Sequence, residues 1–203
     1  MVHISDGILD PLLWESGWVI TAIILAYTLS KMKIEDVPKL SVITAAVFVA
    51  SLIHFQFGPT SVHFILNGFA GVTLGLLAYP CIFVALVLQC FLFQHGGVTT
   101  IGINTINMGV PALLAYLLFK YGMRFDLGIK QKEILFGTLG GGIAVALAVL
   151  FLALELATTG EEFFEVAIFV ATAHIPIIAI EAIFTGITAG FLATVQPELL
   201  CRR

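Results

Sequence analysis

Residues 133–155 read EILFGTLGGGIAVALAVLFLALE, a run of apolar and small residues with a glutamate at each end. About 20 such residues in a helix cross the hydrocarbon core of a bilayer. The whole chain has the same character, with 60% hydrophobic and 11% charged residues and a mean hydropathy of +1.08. Soluble domains are about 45–50% apolar and about 25% charged. The sequence therefore predicts a membrane protein.

Six more apolar stretches make seven predicted spans in a single all-α transmembrane domain over residues 1–203. A break at Ala78–Pro80 predicts a tight turn between the third and fourth spans. The last stretch also contains Pro176, so we expect a helical lead-in over 163–172 and one span from His174. The seven spans are predicted near residues 14–30, 38–56, 61–79, 80–94, 104–120, 133–155 and 174–195.

The basic residues predict the orientation, because cytoplasmic loops of membrane proteins are enriched in Lys and Arg. With seven spans and an outer N-terminus, all nine basic residues fall on the cytoplasmic side. The C-terminus is then cytoplasmic. A start without positive charge or a cleavage site favours a retained N-terminal segment over a signal peptide. The nine basic residues are Lys31, Lys33, Lys39, Lys120, Arg124, Lys130, Lys132, Arg202 and Arg203.

The N-terminal segment, residues 1–10, is predicted to lie on the outer side. It carries nitrogen groups that can chelate a metal ion. With Met1 retained, its amine, the Val2 and His3 amides and the His3 imidazole supply four nitrogens. With Met1 removed, the Val2 amine, His3 amide and His3 imidazole supply three, and His63 can supply the fourth. Nitrogen-rich tetragonal sites suit Ni(II), Cu(II) and, less tightly, Co(II).

His63 is expected to begin the third span, and an imidazole inside a membrane is a candidate functional group by default. His54 and His95 are interpreted as interfacial or loop residues, or as supports for the site. Asn104 is expected to cap the fifth span. His174 and Glu181 share a helix face seven residues apart, which fits either a proton relay or a structural pair.

Several classes of function find no support in the sequence. It contains no Gly-rich phosphate loop with Lys-Ser/Thr, so the chain is not expected to hydrolyse ATP alone. It has no HExxH or GxSxG motif and no basic patch with interleaved aromatics, so neither an enzyme nor a nucleic-acid partner is predicted. Three unpaired cysteines are interpreted as inert: Cys81, Cys90 and Cys201.

Four segments in this order resemble the CbiM/NikM family, the substrate-binding membrane components of energy-coupling-factor cobalt and nickel transporters. The resemblance runs from residue 3 to about residue 200. The segments are MVHISDGIL at the start, TSVH at 60–63, LFQHGGVTTIGINTINMG at 92–109 and HIPIIAIE at 174–181.

The resemblance implies a seven-helix component of the cytoplasmic (inner) membrane that threads its N-terminus into a metal pocket. The implied ligands are the terminal amine, the His3 amide and imidazole, and His63. The resemblance further implies that the residues which close and brace the pocket are Ser61, His95, Gly97, Thr99 and Asn104. It implies a transmembrane coupling subunit and two ATPase subunits as partners, with a small accessory membrane subunit as a further possibility.

One departure from the family concerns the start, which is Met-Val-His here and usually Met-His in the family. Removal of Met1 restores the family register with Val2 as the amine donor, and we expect that form. Two other functions remain open at this stage: a related component for an organic micronutrient, and a stand-alone metal channel or carrier. The donors do not choose between Co(II) and Ni(II).

Overall fold

The computed structural model describes residues 3–57, 60–126 and 130–201. Within them the chain is mainly helical, with one short two-stranded hairpin. The elements are α1 (Pro11–Leu29), α2 (Val37–Ser51), β1 (His54–Phe57), β2 (Thr60–His63), α3 (Asn67–Leu74), α4 (Ala78–Phe93), α5 (Ile101–Gly122), α6 (Gln131–Thr159), α7 (Phe164–Ala173) and α8 (Ile175–Val195).

Five helical segments in the described residues are long and apolar enough to cross a membrane. The chain is thus a multi-pass membrane protein, as its composition predicts, while seven spans remain a prediction. α2 has 15 residues and falls short of the length of about 20 that a span needs. The five segments are Pro11–Leu29, Asn67–Phe93, Ile101–Gly122, Gln131–Thr159 and Phe164–Val195.

A hairpin replaces helix where the second and third spans were predicted to end and begin. β1 and β2 pair antiparallel, with His54 opposite His63. The expectation that His63 begins a helix is therefore wrong, because His63 ends β2 and α3 begins four residues later at Asn67. The alternation of His, Phe and Gln over 54–57 was hidden in a generally apolar stretch. The all-α fold class predicted from the sequence does not include this hairpin, although the described residues are mainly helical.

The chain reverses between α3 and α4, but three residues earlier than Ala78–Pro80. Gly75 lies against Tyr116, whereas Tyr79 lies against Gly109, about two helical turns nearer the start of α5. The reversal uses Gly75, whose φ of +61° suits a residue without Cβ. Pro80 instead occupies the first turn of α4, where its missing N–H costs nothing.

α6 packs along α8 and α5 and also against α3. Its contact with α8 depends on small residues. A Cβ at Gly137 would lie 2.9 Å from the Ala189 Cβ and 3.1 Å from the Thr185 carbonyl oxygen. Small residues are how membrane helices approach closely. α7 fills the predicted lead-in and ends at Ala173, and His174 separates it from α8, which begins at Ile175.

Candidate metal centre

Two histidines that are 60 positions apart in the sequence meet at one end of the bundle. The rings of His3 and His63 lie 4.9 Å apart between centroids, with an angle of 12° between their planes. Both side chains are buried, with exposed fractions of 6% and 1%. Two imidazoles that share one metal ion bring their ligand nitrogens within about 4 Å, twice a metal–nitrogen bond of about 2 Å. With centroids 4.9 Å apart, the two rings are close enough for one nitrogen of each to approach the same ion.

The backbone beside His63 fixes which ring nitrogen can bind a metal. The Nδ1 atom lies 2.7 Å from the carbonyl oxygen of Phe64. A carbonyl oxygen only accepts, so Nδ1 carries the hydrogen and donates it. In the neutral ring the lone pair then belongs to Nε2, which is the tautomer that a metal ligand needs.

Asn104 holds the N-terminal segment in place by pairing with both polar groups of Ile4. The Ile4 amide donates to Asn104 Oδ1, and Asn104 Nδ2 donates to the Ile4 carbonyl, each at 3.0 Å. The Thr100 hydroxyl donates to the same carbonyl at 2.6 Å. The capping role expected for Asn104 is wrong, because α5 begins at Ile101 and Asn104 lies inside its first turns.

Asp6 forms a second attachment, between the N-terminal segment and the loop before α5. Its carboxylate accepts from the Val98 amide at 3.0 Å and from the Thr99 amide at 2.9 Å and hydroxyl at 2.5 Å. The Thr99 hydroxyl bond, followed by the amide bonds, lowers the pKa of Asp6 below its ordinary value of 3.8, although burial opposes this. A Cβ at Gly97 would overlap the same carboxylate.

The remaining predicted site residues have mixed positions. A Cβ on Gly96 would lie 3.4 Å from the His3 Cβ, so the glycine pair 96–97 lets the loop approach the N-terminal segment. His95 is half-buried, and its ring lies 6.3 Å from that of Phe93. Met1 and Val2 lie outside the described residues, as do the side chains of Ser61 and His54.

A cavity of about 210 Å³ adjoins His3 on the side of α6 and α7. It holds several water-sized volumes of about 30 Å³, so there is room beside the imidazole for an ion with some of its water. The helical lead-in α7 thus forms one wall of the site. The wall residues other than His3 are mainly apolar and include Leu152, Leu156, Phe163, Val166 and Val170.

The described residues contain no group of three or more His, Cys, Asp or Glu side chains placed to hold a metal. A metal held at His3 and His63 would take its remaining ligands from the backbone, the amine, side-chain amides or hydroxyls, or water. That donor set is rich in nitrogen and lacks thiolate and carboxylate. Such a set favours Ni(II), Cu(II) or Co(II) over hard cations such as Mg²⁺.

His174 and Glu181 do not form the pair that their spacing allowed, since each bonds elsewhere. His174 Nδ1 donates to the Val170 carbonyl at 2.7 Å, while the Glu181 carboxylate accepts from the amides of Ile65 and Leu66. Asn107 Nδ2 also donates to Glu155 at 2.6 Å, a bond that was not predicted from the sequence. The signal that could have indicated such a bond is Glu155 itself, a charged residue near the end of an apolar helix.

The family model of CbiM, described as a cobalt uptake substrate-specific transmembrane region, matches residues 3–199. The chain belongs to the CbiM family. This confirms the resemblance, and CbiM-family membrane proteins act in cobalt and nickel transport.

Two relatives and one solved structure illustrate the match. A protein of Haemophilus influenzae named as a metal transport protein is 31% identical, and the alignment covers 99% of this chain and 98% of that one. A fused protein of Archaeoglobus fulgidus, named as nickel transport protein NikMN, is 25% identical over 98% of this chain and 68% of its own length. A solved transition metal transporter has a TM-score of 0.77 at 24% identity, covering 97% of this chain and 94% of that one. The structural likeness concerns the fold alone.

Proposed function

We propose that this protein captures Co(II) or Ni(II) with high affinity and delivers it across the cytoplasmic membrane as the substrate-specific component of an ATP-driven energy-coupling-factor transporter. The observation that carries the proposal is the meeting of the buried His3 and His63 rings, 4.9 Å apart. Imidazole nitrogens are common protein ligands of transition-metal ions. A transported metal ion is a partner that both rings can share.

The proposed ligands are four nitrogens in a plane: the Val2 amine, the His3 amide, the His3 imidazole and His63 Nε2. This set requires removal of Met1, which the small Val2 permits. If Met1 is retained, Met1 provides the amine, and the chelate can close without His63. The two hydrogen bonds between Asn104 and Ile4 support the proposal because they fix the chain one residue beyond His3.

We propose seven spans with the N-terminus outside and the C-terminus in the cytoplasm. The reversal between α3 and α4 supports counting them as two crossings. The hairpin shortens the helical part of the third crossing, so this crossing enters partly as irregular chain. Such backbone is tolerated at membrane depth only where protein shelters it, and every residue of α3 is buried.

The proposed partners are a transmembrane coupling subunit, two ATPase subunits and a small accessory membrane subunit. Two observations support partners. The sequence has no phosphate-binding loop, so energy from ATP must come from other chains. The Archaeoglobus relative is named as a fused NikMN protein, and the match covers 68% of it, so a further component is joined to it in one polypeptide.

Titration of the purified protein with Ni(II) and Co(II) tests the site. His3→Ala and His63→Ala should each weaken binding about 100-fold or more, since each removes a direct ligand in a site where even supporting residues are worth 10–100-fold. Thr105→Val is a matched control, because Thr105 is buried on α5 and its hydroxyl donates to the Ile101 carbonyl of its own helix. Unchanged binding by both histidine variants would refute the site.

Intact-protein mass spectrometry, with and without Ni(II), identifies the first residue. We expect Val2 at the N-terminus and one bound ion. In a preparation that keeps Met1, His63→Ala should bind as tightly as the parent protein, because the self-contained chelate does not use His63. If His63→Ala weakened Ni(II) binding equally in the protein that begins at Val2 and in the protein that keeps Met1, the proposed ligand sets would be wrong.

Transport in liposomes separates the proposed function from its two alternatives. The chain alone should bind the ion without moving it, and flux should require the partner subunits and ATP. Metal flux through the isolated chain would identify a channel or carrier. An organic micronutrient bound with no dependence on His3 would identify a component with a different cargo.

A further inference from the structure

The short connection between β2 and α3 is buried and lacks regular hydrogen bonding of its own. Ile65 and Leu66 are exposed by only 2% and 7%. Leu66 has a positive φ of 53°, so its conformation is left-handed and needs support from the surrounding structure. Amides at the start of a helix have no partner within the helix. The amides of this connection must therefore bond to another part of the fold.

Glu181 of α8 satisfies both amides with one carboxylate. Oε1 accepts from the Ile65 amide at 2.5 Å, and Oε2 accepts from the Leu66 amide at 2.8 Å. The carboxylate is 1% exposed and lies at the start of α3, where the helix dipole favours a negative group. One side chain thus links the connection to a helix 115 residues later.

The same peptide group joins Glu181 to His63. The Phe64 carbonyl and the Ile65 amide belong to one planar unit and point in opposite directions when the bond is trans, and no cis bond is found in the described residues. The carbonyl accepts from His63 Nδ1, while the amide donates to Glu181. The orientation of this peptide sets the orientation of the imidazole.

The first residues of α3, just after the connection, are fixed by neutral groups of α5 and α6, and the Glu181 backbone is packed against the same region. Asn67 Nδ2 donates to the Met108 carbonyl of α5 at 3.2 Å and to the Ala144 carbonyl of α6 at 3.1 Å. Gly68 packs closely against Gly141, which in turn packs against the Glu181 backbone. The carboxylate therefore sits at a junction of α3, α6 and α8.

We propose that Glu181 is a positioning residue for metal binding: through the Phe64–Ile65 peptide it fixes the ring orientation and tautomer of His63. The proposal rests on the proposed function, since it gives His63 a metal to bind. The Glu181 carboxylate bonds the amides of Ile65 and Leu66 and so acts on His63 through the backbone. It acts in the way that carboxylates and carbonyls behind metal-bound histidines act, by keeping Nδ1 protonated and Nε2 available.

The test compares Glu181→Gln and Glu181→Leu with Thr185→Val. Thr185 lies one turn further along α8 and is fully buried, so its variant controls for disturbance of the helix. Glu181→Gln keeps the shape and loses one strong acceptor. We expect it to weaken Ni(II) binding about 10–100-fold, the range found for residues that orient metal ligands, with a larger loss in Glu181→Leu. Thr185→Val should bind as the parent protein does.

Two further measurements distinguish positioning from a general loss of structure. At saturating Ni(II) the ligand-field spectrum of Glu181→Gln should match the parent spectrum, because the four nitrogens are the same. Hydrogen–deuterium exchange of the metal-free variant should increase in peptides covering residues 63–70 and stay unchanged in peptides from α5. If Glu181→Leu does not fold, the Ni(II) affinity, spectrum and hydrogen–deuterium exchange of Glu181→Gln still test the proposal.

The proposal is overturned if folded Glu181→Gln binds Ni(II) as tightly as the parent protein, or if Thr185→Val loses affinity equally. Both results would leave the proposed function standing as long as His3→Ala and His63→Ala lose binding. Normal binding by the two histidine variants would instead refute the proposed function.

Discussion

The site end of the bundle and the α6–α8 interface are built by different chemistry. At the site end, hydrogen bonds tie irregular segments to residues far away in sequence, as Asn104 of α5 does with Ile4 across 100 positions. At the α6–α8 interface, two regular helices approach through glycines such as Gly137 and Gly186. The difference predicts that affinity at the proposed metal site depends mainly on polar contacts, whereas fold stability depends mainly on close apolar packing.

The largest effect that this contrast predicts belongs to Asn104→Leu, which keeps the volume and removes both bonds to Ile4. A buried polar group without its partner costs about 1–3 kcal/mol. The N-terminal segment can avoid that cost by detaching, so we expect Ni(II) affinity to fall about 100-fold, which is about 2.7 kcal/mol. Isothermal titration of the detergent-solubilised protein measures it.

The matched control for Asn104→Leu is Thr105→Val on the neighbouring position of α5. Thr105 is fully buried, and its hydroxyl donates to the Ile101 carbonyl of its own helix. Its variant should keep the parent affinity. If Asn104→Leu lowered the melting temperature strongly and left the affinity unchanged, the proposed division between the two regions would be wrong.

The opposite pattern is expected for Gly137→Ala at the α6–α8 interface. The new Cβ would lie 2.9 Å from the Ala189 Cβ and 3.1 Å from the Thr185 carbonyl, so the helices must separate. Overpacking of this kind costs about 1–3 kcal/mol. Ni(II) affinity of the folded protein should stay within about twofold, because distant sites act independently.

Gly140→Ala is the control for Gly137→Ala, on the same helix. Its Cβ would meet its nearest neighbour, the Ala115 Cβ, at an ordinary 3.5 Å. Both variants gain the same helix propensity, about 1 kcal/mol, so the difference between their melting temperatures isolates the α6–α8 contact. Equal melting temperatures would show that the interface can relax without cost.

Much of the fold could be predicted because burial in lipid leaves a simple signal. Long apolar runs such as 133–155 fall within helices with bounds close to those expected. The hairpin at 54–63 could not be predicted, because short alternation cannot be recognised where nearly every residue is apolar. The reversal was placed at Pro80 for a related reason: Gly75 in an apolar run usually indicates packing, and only its positive φ marks the turn.

The candidate site was predictable only in part. His3 and His63 attract attention as imidazoles in an apolar chain, and the structure brings their rings together. The supporting bonds were not visible, because Asp6 with Thr99, and Glu181 with Ile65, are long-range pairs that no local spacing encodes. The backbone amides that donate to Glu181 have no sequence signature at all, since every residue except proline carries an amide N–H.

The smallest effect is expected for Asp6→Asn at the second attachment of the N-terminal segment. Asn has one acceptor oxygen for the three donors on Val98 and Thr99. Because Asp6 is exposed, its charge is well screened, and such contacts are worth about 0–1 kcal/mol. Ni(II) affinity near neutral pH should therefore fall only about threefold. Val98→Ala, which keeps its amide, should leave affinity unchanged.

The pH dependence of this attachment gives a sharper test, in the metal-free protein. The pKa of Asp6 is lowered from 3.8 by its bonds to Thr99 and Val98, so the attachment is complete above pH 3.8 and is lost as the pH falls through the lower folded value. Pepsin cleavage within residues 3–10 should be slower in the parent protein than in Asp6→Asn at pH 5. The two rates should converge as the pH falls below 3.8, because the protonated parent then resembles the variant and the ratio cancels the protease's own pH dependence. A ratio that stays constant across this range would show that the Asp6 carboxylate does not hold the segment, and would leave Asn104 as its attachment.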